Sequence, residues 1–179
     1  ARWQLAARWP LEGSNPGGLH ETAPGELWLS NLRGAPQRWR FDTATGVVNE
    51  RREFGADAGL VPDAERGTVL YRLDGVLHAV SGERVHRFEN ERFVETALGP
   101  LAALGERPME IAVRDTPLGT YAWTSRQLLH RAPGVQDFRP LRLGSSLARG
   151  FTQAQVDADG MLRVITWNGL LQFDPAVPE

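Results

Sequence analysis

The chain has 179 residues, of which 41% are hydrophobic and 23% charged, and its formal net charge is −2. These values predict one ordinary globular domain and exclude a surface built mainly for nucleic acid, which needs a basic stripe. All 20 cationic side chains are arginine and there is no cysteine. Schiff-base, P-loop-lysine, disulfide and thiolate chemistry are therefore excluded.

Targeting signals are missing from the sequence. The longest uncharged apolar stretch, Ala97–Gly105, is far below the ~20 residues of a membrane span and contains Pro100. No charged segment with an apolar core stands at the N-terminus. We expect no membrane span in this segment. Because the chain begins at Ala1, either a signal was removed or the segment was cut from a longer protein.

Four segments repeat one pattern, a short strand followed by a polar turn that ends in glycine and then a second strand. The anchoring glycines are 42, 52 and 41 residues apart: Gly25, Gly67, Gly119 and Gly160. Two and four residues after each glycine stand residues whose period-2 alternation predicts one buried face. They are Leu27, Leu29, Val69, Tyr71, Tyr121, Trp123, Leu162 and Val164.

Further strands follow in each repeat. Asp74-Gly75 and Asn168-Gly169 supply the positive φ values of a type I′ hairpin and predict a turn into a third strand. Fourth strands are predicted near residues 47–54, 92–97 and 138–143. Four antiparallel strands with a period of about 40–45 residues predict the blades of a β-propeller, with a β-sandwich as the alternative. The fold class is therefore all-β, as a single domain over residues 1–179.

The two ends of the chain complement each other. Residues 1–9 form a lone predicted strand with Trp3, Leu5 and Ala7 on one face, and the fourth repeat ends after its third strand. The lone strand either completes the last blade by pairing with residues 170–173, which closes a four-bladed propeller, or belongs to a longer array. The sequence leaves both open.

Residues 159–174, DGMLRVITWNGLLQFD, resemble the two-component-regulator propeller repeat, and residues 24–30, PGELWLS, match its central strand. Leu70 and Ala122 replace the tryptophan of that strand in the other two repeats, and Gln127 replaces the hairpin glycine. The resemblance implies an extracytoplasmic or periplasmic sensor region of a bacterial histidine kinase or diguanylate cyclase, whereas the absence of cysteine fits the periplasm and the cytosol equally well. It also implies a homodimer formed through the parent protein.

Polar residues of each innermost strand are the candidate binding site, because that strand lines the channel of a propeller. We expect six of them to surround one opening and to bind a small polar ligand, a protein partner or a cation: His20, Glu21, Glu110, Arg114, Gln153 and Gln155. Asp63, Asp115 and Asp157 are interpreted as turn formers whose carboxylates accept backbone N–H bonds. His78 and His130 are assigned to equivalent third strands.

Two other features concern packing. Trp28, Trp123 and Trp167 are predicted to pack between blades rather than to bind sugar. The insertion over residues 97–108 is predicted to place an apolar loop or a short helical turn on the surface, as a contact site.

Two function classes remain open. The first is a non-catalytic sensing module without a cofactor, since the sequence has no recognised nucleophile, metal or phosphate motif. The second resembles the gluconolactonase group, a propeller hydrolase with a divalent cation such as calcium at the channel mouth. Its ligands would be Glu21 and Glu110 with Gln155 or Asp157.

Overall fold

The computed structural model describes residues 15–141, 151–156, 161–166 and 169–173. Across these residues the chain is almost entirely β-structure, with three short 3-10 turns at Ala56–Ala58, Gly99–Leu104 and Pro108–Glu110. The strands are β1 Pro16–Ala23, β2 Glu26–Asn31, β3 Gln37–Phe41, β4 Val48–Glu53, β5 Val69–Leu73, β6 Val76–Ser81, β7 Arg84–Glu89, β8 Arg92–Thr96, β9 Ala112–Thr116, β10 Gly119–Trp123, β11 Leu128–Arg131, β12 Arg139–Pro140, β13 Phe151–Val156, β14 Leu162–Thr166 and β15 Gly169–Phe173.

The strands form four successive antiparallel sheets, each built from neighbours in sequence. The orders are β1-β2-β3-β4, β5-β6-β7-β8, β9-β10-β11-β12 and β13-β14-β15, the last with three described strands. This is the architecture of β-propeller blades, in which each blade is a small antiparallel meander. The prediction of an all-β propeller with about four blades is confirmed.

The chain divides into two compact units. The first runs to Leu70 and continues over Leu77–Glu95, and the second takes Tyr71–Val76 and the described residues from Thr96 onward. The hairpin between β5 and β6 thus belongs to the second unit, although most of the second blade belongs to the first. This assignment places the hairpin next to the third blade.

An aromatic core fills the first unit. Trp28 on β2 is fully buried, and its ring centroid lies 4.7 Å from those of Phe54 and Phe88 and 6.0 Å from that of Phe93. Phe88 and Phe93 belong to β7 and β8 of the second blade. The prediction that Trp28 packs between blades is confirmed.

The predicted buried face is correct on some strands and wrong on others. Tyr71, Tyr121, Leu162 and Val164 are buried as expected. The other four residues are only half-buried: Leu27, Leu29, Val69 and Trp123. On β2 the reason is that Trp28, and not the leucine on either side of it, points into the core.

The second blade uses different strands from those predicted. Residues 60–62 are not a strand, and Val61 is 71% exposed, so β5 takes the first position of the sheet. Two-residue turns at 74–75, 82–83 and 90–91 then fit four strands into residues 69–96. His78 consequently lies on the second strand of its sheet and His130 on the third, so the prediction that they are equivalent is wrong.

The turn at Gly67 requires glycine. Its φ is +64°, and a Cβ at this position would lie 2.2 Å from the backbone oxygen of Asn31. The same neighbour accepts a 2.8 Å hydrogen bond from the Thr68 backbone N–H. The turn therefore docks directly on the end of β2, in the first unit.

The type I′ turn at Asp74-Gly75 is confirmed, with φ values of 55° and 75°. The insertion forms the predicted helical turn, with Leu101 and Leu104 buried and Pro100, Ala102 and Ala103 exposed. Its role as a contact site stays a prediction. Several predictions concern residues outside the described ranges: the closing strand at residues 1–9, Asp157, Gly160, Trp167 and Asn168.

Candidate functional site

A cleft of about 440 Å³ opens within the second unit. Three turns line it: Arg72–Gly75 from the β5–β6 hairpin, residues 115–120 between β9 and β10, and residues 131–135 after β11. The volume lies within the range of small-molecule sites, roughly 300–1,000 Å³. All three turns stand at one end of their strands, as expected for a site carried on the loops of a rigid β-scaffold.

Arg131 is the buried charge of the cleft. Its side chain is 7% exposed, and its two terminal nitrogens donate to the two carboxylate oxygens of Asp74, with 3.2 Å between Nη1 and Oδ2. Nη2 also donates to Thr120 Oγ1 at 3.2 Å, and the Cζ atom lies 5.1 Å from the Phe138 ring centroid. The guanidinium is thus held by a hydroxyl and an aromatic ring in addition to its carboxylate.

Asp115 joins the third blade to the hairpin of the second. Its Oδ1 accepts a 2.5 Å hydrogen bond from Thr120 Oγ1, and its Oδ2 accepts a 3.2 Å bond from the Gly75 backbone N–H. Thr120 therefore donates to Asp115 and accepts from Arg131. The result is a continuous chain of hydrogen bonds that fixes the position of the hairpin backbone.

Part of the cleft lining is apolar and exposed. Pro117, Pro133 and Val135 line it, and Val135 is 43% exposed. Leu118, beside Pro117, is 40% exposed. A ligand in this cleft would meet both charged groups and apolar side chains.

The formal charges of the cleft cancel. Two arginines and two aspartates line it: Arg72, Arg131, Asp74 and Asp115. Each of the two carboxylates accepts hydrogen bonds on both oxygens from protein donors. Asp74 thereby pairs with Arg131, and Asp115 holds Thr120 and the backbone of Gly75.

The six predicted site residues lie elsewhere. His20 and Glu21 are successive residues of β1, so they point to opposite faces, with His20 half-buried and Glu21 exposed. Arg114 is exposed on β9, and Gln153 and Gln155 belong to β13, which lies beside β9. Glu110 is exposed in the 3-10 turn at Pro108–Glu110 and not on a strand, contrary to the prediction.

The aspartate turn formers differ from one another. Asp63 Oδ1 accepts bonds from the backbone N–H groups of Glu65 and Arg66, at 3.0 and 2.8 Å, which confirms the turn interpretation. Asp115 also accepts a backbone N–H bond, but from Gly75, 40 residues earlier, and not from its own turn. Its other oxygen accepts from the Thr120 hydroxyl across the β9–β10 turn, so this aspartate joins a local and a tertiary partner.

A second charged cluster, in the first unit, links the first two blades. Arg38, only 2% exposed, donates to Glu91 at 2.5 Å and to Glu50 at 2.8 Å, and its Cζ lies 5.0 Å from the Phe54 ring centroid. The hydrogen bond from Arg38 lowers the pKa of both carboxyl groups, Glu50 and Glu91. Because Arg38 is buried against the Phe54 ring and is paired with both carboxylates, we assign this cluster to stability.

The described part of the chain offers neither a metal cluster nor a membrane-spanning helix. Among the described residues, no group of three or more histidine or acidic side chains is placed to hold a metal ion. No helix there is both long and apolar enough to cross a membrane.

Sequence reasoning missed the cleft. Its local signals are the Asp74-Gly75 turn and Asp115, and the sequence marks both as turn residues and not as ligand-binding residues. Nothing in the sequence connects Asp74 to Arg131, 57 residues later. That pairing follows from the docking of the hairpin on the third blade.

No family model and no curated protein matches this chain. Among solved structures, it is similar to the extracellular domain of a protein described as a hybrid two-component system from B. thetaiotaomicron, with a TM-score of 0.54 and 14% identity, over 90% of this chain and 20% of that one. It is also similar to virginiamycin B lyase from Staphylococcus aureus, with a TM-score of 0.52 and 12% identity, over 95% of this chain and 59% of that one. The chain thus spans one fifth and about three fifths of the two lengths, and the likeness establishes a shared β-propeller fold.

Proposed function

We propose that this chain is a non-catalytic sensing module of a bacterial signal-transduction protein, of the histidine kinase or diguanylate cyclase type, that binds a small polar ligand. The cleft around Arg131 carries the proposal. A guanidinium that is 7% exposed, in a cleft of about 440 Å³ that is also lined by Pro117, Pro133 and Val135, has the form of a recognition site.

Two further observations support a sensing role. The repeat at residues 159–174 resembles that of two-component-regulator propellers. The fold is shared with the extracellular domain of a two-component system. An extracytoplasmic location and a homodimer through the parent protein are part of this proposal.

Binding without turnover is expected from the engaged carboxylates. Asp74 and Asp115 both accept hydrogen bonds from protein groups, so in the free protein these carboxylates hold Arg131 and the hairpin in place. We infer that a ligand would leave the cleft chemically unchanged. Its binding energy would then be available to shift the module between conformations.

The test is a thermal-shift screen of polar metabolites on the wild-type chain and on Arg131→Gln. Compounds that raise the Tm of the wild type and not that of the variant would support the proposal, provided that mass spectrometry shows them unconsumed. A screen in which no stabilisation depends on Arg131 would refute it. Arg114→Gln and Gln155→Ala, on the predicted strand surface, serve as matched controls and test the original site prediction.

The alternative is a propeller enzyme. The fold similarity to virginiamycin B lyase favours it, since the same scaffold carries a lyase there. In this alternative, the chain would be a gluconolactonase-like hydrolase that depends on calcium. Lactone hydrolysis that requires calcium or manganese and is lost in Glu21→Gln would establish the enzyme and refute the sensing proposal.

A further inference from the structure

We infer that the cleft recognises a small monocarboxylic acid with an apolar tail, and that the carboxylate of Asp74 occupies the ligand's place on Arg131 until the acid displaces it. This inference rests on the proposed function of the cleft. It adds the chemical class of the ligand and identifies the Asp74 carboxylate as the group that the ligand displaces.

The ion pair of Asp74 and Arg131 has the geometry of a carboxylate-binding site. Asp74 receives one bond from each terminal nitrogen of Arg131, the two-pronged arrangement with which arginine binds a free carboxylate. The two partners differ sharply in exposure, since the side chain of Arg131 is 7% exposed and that of Asp74 is 67% exposed. The carboxylate is therefore held from one side only, and solvent reaches the other.

Only the side chain of Asp74 has to move for a ligand to reach Arg131. Thr120 and Phe138 contact Arg131 independently of Asp74, so the guanidinium keeps its place when Asp74 leaves. The bond from the Gly75 N–H to Asp115 likewise holds the hairpin backbone. A rotation of the Asp74 side chain into solvent thus opens the binding position without a change of fold.

The charges and the lining of the cleft determine which kind of ligand could replace Asp74. A buried guanidinium is costly without a negative partner, so a neutral or cationic compound could not replace Asp74. With Asp74 turned into solvent, Arg72, Arg131 and Asp115 leave the lining with a formal charge of +1, which one carboxylate neutralises and a polyanion would exceed. Pro117, Pro133 and Val135 in the same lining would contact an apolar tail. These three conditions together specify a monocarboxylate with a short apolar body.

The experiment compares acetate, butyrate and benzoate with butyramide and butylammonium at constant ionic strength. Dissociation constants come from ¹H–¹⁵N NMR titration, which also reports on the Arg131 side-chain N–H signals. We expect affinity for the carboxylates alone, rising from acetate to benzoate, with shifts at Arg131. Asp74→Ala should tighten benzoate binding about fivefold, the order expected for removing a competing half-exposed ion pair.

Two variants decide the mechanism. Arg131→Gln should abolish carboxylate binding; if it fails to fold, Arg131→Lys keeps the charge, loses the fork and should weaken binding clearly. Asp42→Asn removes another exposed turn carboxylate, in the first unit, and should leave the affinity unchanged.

Three outcomes would overturn the inference: carboxylate binding that persists in Arg131→Gln, binding that does not tighten in Asp74→Ala, or equal affinity for butyramide. A non-carboxylate compound whose binding depends on Arg131 would overturn the inference and leave the sensing proposal standing. The absence of any Arg131-dependent binding, by these acids or in the wider screen, would overturn both.

Discussion

Truncation of Trp28 to alanine tests the aromatic core of the first unit. The side chain is fully buried among Phe54, Phe88 and Phe93. An aromatic side chain buries about 150–250 Å², which at ~25 cal/mol per Å² corresponds to roughly 4–6 kcal/mol as an upper value. Substitutions of this type cost about 3–5 kcal/mol. We expect Trp28→Ala to lower the free energy of unfolding by about 4 kcal/mol.

The measurement is equilibrium urea unfolding followed by far-UV circular dichroism. Trp123→Ala is the matched control, because the same truncation at a half-buried tryptophan should cost about half as much. If Trp28→Ala does not fold, Trp28→Phe keeps most of the ring contacts and should cost about 1–2 kcal/mol. A loss below about 1.5 kcal/mol for Trp28→Ala, or an equal loss at Trp123, would contradict the assignment of the core.

Two further predictions concern stability. The pKa values of Glu50 and Glu91 are lowered in the folded state, so these carboxylates stabilise it above about pH 4.5 and the contribution disappears as the pH falls through their lowered values. Glu91→Gln should therefore flatten the acid limb of a plot of unfolding free energy against pH, and an unchanged limb would contradict the role of the ion pair. Gly67→Ala should cost several kcal/mol, because its Cβ would overlap the Asn31 carbonyl, whereas Gly46→Ala, at a similar φ of 70° but in open space, should cost only about 1 kcal/mol. Equal losses in thermal unfolding would exclude the overlap.

The β-structure was predictable because strands and turns leave local signals. The alternation after each anchoring glycine and the Asp74-Gly75 turn depend on neighbours in sequence, and the structure confirms the blades that they predicted. The positions of the strands in the second blade were harder to predict. Leu60 is buried as part of an irregular segment that follows a 3-10 turn, and burial alone gives it the apolar character of a strand residue.

The cleft could not be predicted from the sequence for a related reason. Arg131 and Asp74 are on different blades, and each has an ordinary local environment: one ends a strand and the other begins a tight turn. Only the docking of the hairpin on the third blade brings them together. The prediction of the site from the innermost strands also assumed ideal blades, and Glu110 lies in a 3-10 turn and not on a strand.

The exclusive use of arginine determines how the protein responds to base. Arginine keeps its charge up to a pH at which lysine has already lost its own, so the pairs of Arg38 and Arg131 with their carboxylates persist through the alkaline range. The first group to respond is then a phenol: burial raises the pKa of Tyr71 well above 10, so the unfolded chain releases this proton more readily. Stability should therefore decline only as the pH rises past about 10, the ordinary pKa of tyrosine, while the ion pairs are still intact.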